Sequence, residues 1–193
     1  MSDDLFMEVI DAETLQRRVG ELADEISEAY HDREPTFVGV LTGCVPFLAD
    51  LVREMQGSMK VEFIALTRFG EEGKVSIAMD SLQPLAGGHI ILVEDIVDTG
   101  LTLSTVRKML ETRHIESLEV VTLLDKAPRR IVDVPLEYRG FEVGDEFLLG
   151  YGLDYEGKYR NLRSLWAVMD LPAFREDPAS LGRHLYASDR LSA

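Results

Sequence analysis

The sequence predicts an α/β fold with a mainly parallel, twisted sheet flanked by helices. Three observations carry this. Continuous apolar runs at His89–Glu94 (HIILVE) and Leu118–Leu124 read as strands buried on both faces, the habit of parallel sheets. Segments of helical period precede and separate them, and strands alternating with helices imply right-handed crossovers. The 193 residues, 46 % hydrophobic and 28 % charged, have the balance of a globular protein large enough for one full core.

The elements follow in order. From Asp11 to His31 the apolar positions Leu15, Val19, Leu22, Ile26 and Tyr30 fall on one helical face, with Asp11 placed as N-cap. Thr36–Leu41 is a short β-branched strand, broken by Thr42-Gly43-Cys44. Val45–Gln56 is helical in pattern, with Pro46 in its first turn and Gly57 beyond its end. Lys60–Thr67 and Lys74–Asp80 read as two strands joined through Arg68–Gly73. A helix over Leu103–His114 follows the run at His89, and Ser164–Met169 closes the core pattern. One domain over 1–170 is expected, with 171–193 as a polar, loosely patterned tail.

Charge excludes whole classes of partner. With 20 Lys+Arg against 35 Asp+Glu the net charge is −15, a field that opposes polymeric nucleic acid and anionic membranes. More than half of it lies in residues 1–34, where 11 acids face three arginines. The single cysteine, Cys44, cannot form an internal disulfide or a multi-cysteine zinc site. The acidic start Met1-Ser2-Asp3-Asp4 carries no apolar signal region, and no apolar run approaches the roughly 20 residues that span a bilayer. A cytoplasmic location is the expectation.

Chemistry concentrates in Ile90–Leu103 (IILVEDIVDTGLTL). A buried strand runs into the acids Glu94 and Asp95, and a turn with Asp98, Thr99, Gly100 and Thr102 leads into a helix. Ligands of open α/β sheets bind beyond the carboxyl ends of the strands. Backbone N–H groups, hydroxyls and a helix start make a phosphate cradle there, and paired acids suit sugar hydroxyls or a hydrated Mg²⁺. Together these describe a site for a phosphorylated sugar. Asp98-Thr99-Gly100 is also the triplet of aspartic proteases, but that chemistry needs two such aspartates and only one copy is present. No Walker loop, G-x-G-x-x-G or H-E-x-x-H motif occurs.

This stretch resembles the phosphoribosyl-pyrophosphate signature of the type I phosphoribosyltransferases, and Val93–Leu103 is most like their hypoxanthine-guanine branch. Gly39–Leu51 is similar to the family's pyrophosphate loop, Leu123–Pro128 to its purine-reading segment, and Gly140–Leu162 to its base-stacking and second-metal segment. The resemblance implies a sheet with a small hood, a homodimer or homotetramer, and Mg²⁺-dependent transfer of a 5-phosphoribosyl group onto a 6-oxopurine. It implies that Glu94 and Asp95 hold the ribose hydroxyls directly or through metal, and that Asp98 is the general base or proton relay at purine N7. Thr99, Gly100, Leu101 and Thr102 would cradle the 5′-phosphate; Thr42 and Gly43 would contact pyrophosphate by backbone across a cis Leu41–Thr42 bond, and Arg160 would contact it too. Lys126 would donate to the 6-oxo group, Phe147 stack on the base, Leu148 offer backbone contacts to the base edge, and Asp154 bind a second Mg²⁺.

The chain departs from that pattern in three places. Thr42 stands where the family usually has lysine, Arg68-Phe69 where it has Ser-Tyr, and the connection Thr67–Lys74, which corresponds to a mobile closing loop, is several residues short. These departures leave a rival expectation open, a phosphoribosyltransferase fold kept as a non-catalytic or weakly catalytic nucleotide-binding regulator.

Overall fold

In the computed structural model, which describes residues 5–69 and 74–186 without the side chains of residues 68, 69 and 74, the chain begins with β1 (Phe6–Ile10), α1 (Ala12–Ala29), β2 (Pro35–Leu41) and α2 (Val45–Glu54). It continues through β3 (Lys60–Phe69), β4 (Lys74–Met79), β5 (His89–Val97), α3 (Leu101–Glu111), β6 (Ser117–Asp125) and β7 (Tyr138–Glu142). The last elements are β8 (Phe147–Leu149), β9 (Leu165–Val168), α4 (Leu171–Glu176) and α5 (Ser180–Tyr186). Two compact units emerge: the described parts of Glu13–Asp145, and those of Met1–Ala12 with Glu146–Ala193.

The larger unit is the predicted α/β layer. Its six strands lie in the order β4-β3-β2-β5-β6-β7, and every neighbouring pair is parallel except β3 with β4. β2 and β5 are buried along nearly their whole length, which is why their residues form continuous apolar runs rather than alternating ones. The core gathers Val38, Ile64, Ile90, Leu92, Val120 and, from one face of α3, Leu103, Val106 and Leu110. On α1 the residues with buried side chains are those of the predicted face, Leu15, Val19, Leu22 and Ile26, together with Ala23.

Three features of the structure correct the sequence reading. The run at Ser164–Met169 does not close the main core; its β9 pairs antiparallel with β1 and β8 in a separate three-stranded sheet of the smaller unit. Residues 171–186 are not a loose tail. They form α4 and α5, whose Phe174 and Leu181 are fully buried with Phe6, Leu149, Leu162 and Val168. Asp170 caps α4 by accepting a hydrogen bond from the Ala173 amide at 2.9 Å. Each of these short helices buries a single large apolar residue, too few to show a period. The third correction concerns β5, which runs on to Val97, so that Glu94 and Asp95 lie within the strand rather than at its end.

Candidate active site

The site of the larger unit sits where the chain changes direction. From β2 the crossover through α2 leads to β3 on one side; from β5 the crossover through α3 leads to β6 on the other. β2 and β5 are neighbours, so the crevice beyond their carboxyl ends is the topological switch point of the sheet. The segments that the sequence singled out at residues 41–44 and 94–102 both leave the sheet there.

At the end of β2 the Leu41–Thr42 peptide bond is cis, as the resemblance implies. Gly43 is buried against Asp95, and a Cβ at this position would occupy the same space as the Asp95 carboxylate. Only glycine allows the loop to approach that closely. Cys44 lies fully buried beneath, its thiol pushed up to about 12 by burial and by the charges of Asp95 and Glu94. Thr42 is exposed.

Glu94 is 7 % exposed. Burial first, and the neighbouring Asp95 charge second, hold its carboxyl well above the usual carboxylate range. Asp95 is less buried, and its Oδ1 accepts from the Ile96 amide at 3.0 Å. Two carboxyl groups so placed favour ligands that bring hydroxyls or positive charge.

Beyond Val97 the turn is built from backbone. Gly100 adopts a left-handed φ of 82° at the N-cap of α3, and a Cβ there would strike the Val132 carbonyl. Thr99 Oγ1 accepts weakly from the Leu101 amide at 3.4 Å, Leu101 is half-exposed, and Thr102 opens the helix beside it. The start of α3 presents its first amides and the positive end of its dipole at this turn. Asp98 keeps 45 % of its side chain exposed, and its Oδ1 lies 2.8 Å from Arg129 Nε.

Lys126 is not a surface lysine. It follows β6 directly, is 7 % exposed, and its amide donates to the Val97 carbonyl at 2.9 Å. Next to it Asp125, 3 % exposed, pairs with Arg130 and, at 3.4 Å, with Arg139. Sequence reasoning missed Asp125, Arg129, Arg130, Arg139 and Asp145; the one visible signal was two arginines just after the Lys126-Ala127-Pro128 segment.

The remaining predicted residues lie in the smaller unit. Phe147 is partly buried and meets Tyr155 edge-on at 6.0 Å between ring centres, while Leu148 is buried. Asp154 pairs with Arg160 at 2.8 Å and also accepts from the Gly157 amide at 2.7 Å. Arg160 in turn donates to the Gly152 carbonyl at 2.5 Å. The loop carrying them includes Gly150, Tyr151 and Gly152 with positive φ. The shortened connection expected to act as a closing loop falls at residues 70–73 and on the side chains of 68, 69 and 74, outside the described residues.

Comparison with known proteins gives the family. The hypoxanthine-guanine phosphoribosyltransferase of Bacillus subtilis is 39 % identical over 166 residues, 84 % of this chain and 92 % of that protein. The hypoxanthine phosphoribosyltransferase of Salmonella typhimurium is 43 % identical over 154 residues, 77 % of this chain and 86 % of its own. Among solved structures, a hypoxanthine-guanine phosphoribosyltransferase from Bacillus anthracis superposes with a TM-score of 0.82 at 38 % identity, covering 84 % of this chain and 98 % of that one. A family model for the phosphoribosyl transferase domain matches residues 8–156. This chain is a member of the phosphoribosyl transferase family.

Proposed function

We propose that this enzyme transfers the 5-phosphoribosyl group of phosphoribosyl pyrophosphate to a 6-oxopurine, hypoxanthine or guanine, giving the nucleoside monophosphate and pyrophosphate in purine salvage. The carrying observation is the meeting of two motifs at the switch point, where Gly43 is pressed against Asp95 and the turn from Asp98 to Thr102 opens α3. In this reading Glu94 and Asp95 hold the ribose hydroxyls, and Thr99, Gly100, Leu101 and Thr102 receive the 5′-phosphate. Asp98 holds or accepts the proton at N7 as the C1′–N9 bond forms and the bond to pyrophosphate breaks; the ribose passes through an oxocarbenium-like state. The buried Lys126 donates to the 6-oxo group, which a 6-amino group, itself a donor, could not accept. In the smaller unit Phe147 and Leu148 contact the base, Asp154 serves a second metal and Arg160 meets pyrophosphate.

The donor set fits Mg²⁺ of the substrate-chelated kind. Among the described residues no three His, Cys, Asp or Glu side chains converge into a protein-only cage, and Mg²⁺ habitually takes one or two carboxylates plus water and phosphate oxygens. Glu94 with Asp95, and separately Asp154, would hold it. When bound, the ion offsets the charge that develops on the departing pyrophosphate.

No helix among the described residues is long and apolar enough to cross a membrane. A cytoplasmic location and a dimer or tetramer complete the reading. The relatives compared above carry enzyme names, and none favours the non-catalytic reading that Thr42 leaves open. The test is a panel of free bases with phosphoribosyl pyrophosphate, followed by pyrophosphate release. Hypoxanthine or guanine should react far faster than adenine, and excess chelator should stop the reaction. No nucleotide from any oxopurine would refute the proposal.

A further inference from the structure

The segment Lys126–Val132 runs along the turn Val97–Gly100 as a strap. The Lys126 amide donates to the Val97 carbonyl at 2.9 Å, and the Ile131 and Val132 amides both donate to the Thr99 carbonyl at 3.0 Å. The Val132 carbonyl lies only 2.4 Å from where a Gly100 Cβ would be. Backbone alone therefore bonds the strap to two of the four turn residues, Val97 and Thr99, and packs it closely on a third, Gly100. The fourth, Asp98, is met by a side chain, that of Arg129.

The geometry at Asp98 is asymmetric. Its Oδ1 is shut off from solvent and lies 2.8 Å from Arg129 Nε, at ion-pair range but not aligned as a hydrogen bond. The side chain as a whole keeps 45 % exposure, so the accessible part of the carboxylate is Oδ2. Arg129 is fixed from its other edge, where Nη1 donates to Asp145 Oδ1 at 2.7 Å. The terminal torsion of aspartate is broad and two-fold, so an unpinned Asp98 would present either oxygen at many angles. A guanidinium can face two carboxylates from two edges at once, which a lysine ammonium on a flexible stem does poorly.

We infer that Arg129 is a positioning residue for Asp98: braced by Asp145, it covers Oδ1 and fixes the carboxylate so that Oδ2 is the oxygen offered to the purine proton. This rests on the reading of Asp98 as the proton acceptor. In this role Arg129 acts through Asp98, which it meets at Oδ1. An exposed ion pair contributes little to folding, so the consequence lies in turnover.

The experiment is steady-state kinetics on R129Q, R129K and D145N, and on R129Q combined with D98N. R129Q should lower kcat about tenfold through misorientation, with KM for both substrates within about twofold. R129K should recover part of that loss, and D145N should lose about threefold, since it loosens the brace and leaves the pair. In the D98N background R129Q should change turnover by less than about twofold, because groups acting as one unit are not additive. An equal loss from R129Q with and without D98N would show a merely structural arginine and overturn the inference. So would an R129Q enzyme with unchanged kcat. If D98N alone turns over normally, the proton role of Asp98 fails and the inference with it; if D98N is disabled while R129Q is not, only the inference fails.

Discussion

The two ends of the six-stranded sheet each hold acidic side chains, and they are treated oppositely. At the amino-terminal end Glu119 on β6 accepts hydrogen bonds from Tyr30 and Tyr138, both at 3.0 Å. His89 stands edge-on to Tyr30 and bonds Ser117 at 2.8 Å. At the carboxyl-terminal end Glu94 is buried beside another carboxylate, and burial first and that neighbouring charge second hold its carboxyl above the usual carboxylate range. The first carboxylate is surrounded by donors supplied by the chain; the second is placed next to a like charge. A fold that can satisfy one acid so completely has no structural reason to crowd another. The crowding marks where ligand groups are expected to complete the arrangement.

The largest expected break in this contrast is at Asp98. Replacement by Asn or Ala should lower kcat by roughly 10²–10⁴-fold, the usual size of a general-base contribution, with the KM for phosphoribosyl pyrophosphate little changed. Single-turnover kinetics that match wild type would remove Asp98 from the chemistry. Next comes Gly43→Ala. Its Cβ would collide with the Asp95 carboxylate, and displacing a substrate-holding group by about 1 Å costs on the order of 10²-fold in kcat/KM. The same substitution should leave the Tyr30–Glu119–Tyr138 cluster untouched. Unfolding that shifted as much as activity would show Gly43 to be a packing requirement only.

Lys126→Ala should have a smaller, selective effect. A hydrogen bond from a charged donor is worth about 1.5–3 kcal/mol, so kcat/KM for hypoxanthine should fall roughly 10–100-fold while the residual rate with adenine stays flat. Unchanged discrimination between the two bases would place purine recognition elsewhere.

Much of this was legible in the sequence, for identifiable reasons. The α1 face, the buried runs of β2, β5 and β6 and the turn after β5 rest on local period and composition, which short segments display by themselves. β7 (YRGFE) was missed because it is an edge strand with charged residues and a glycine in place of an apolar run. β8 has only three residues. The burial of Lys126, the strap across the Asp98 turn and the Asp125–Arg130–Arg139 cluster arise from contacts between β6, β7 and the turn after β5. No local spacing records them. The resemblance named Lys126 and Asp98 but gave no hint that Arg129 stands between Asp98 and Asp145.

The smallest effect is expected at the other end of the sheet, and it tests whether that end is structural. Burial, then the bond to Glu119 and its charge, raises both the Tyr30 and the Tyr138 hydroxyl above the ordinary tyrosine value of 10. A group whose folded value is raised contributes stability in its protonated form, fully present below the unfolded value and lost as pH climbs through the folded one. Denaturant unfolding should therefore show stability falling as pH rises above about 10. Tyr138→Phe should cost about 1 kcal/mol at pH 7, because Glu119 keeps Tyr30 as a donor. The variant should lose less than wild type above pH 10, since one of the two raised hydroxyls is gone. Its kcat at pH 7 should match wild type within about twofold. A tenfold fall in kcat with normal stability would mean that the two ends of the sheet are coupled, and that satisfied and crowded carboxylates do not divide this molecule into scaffold and site.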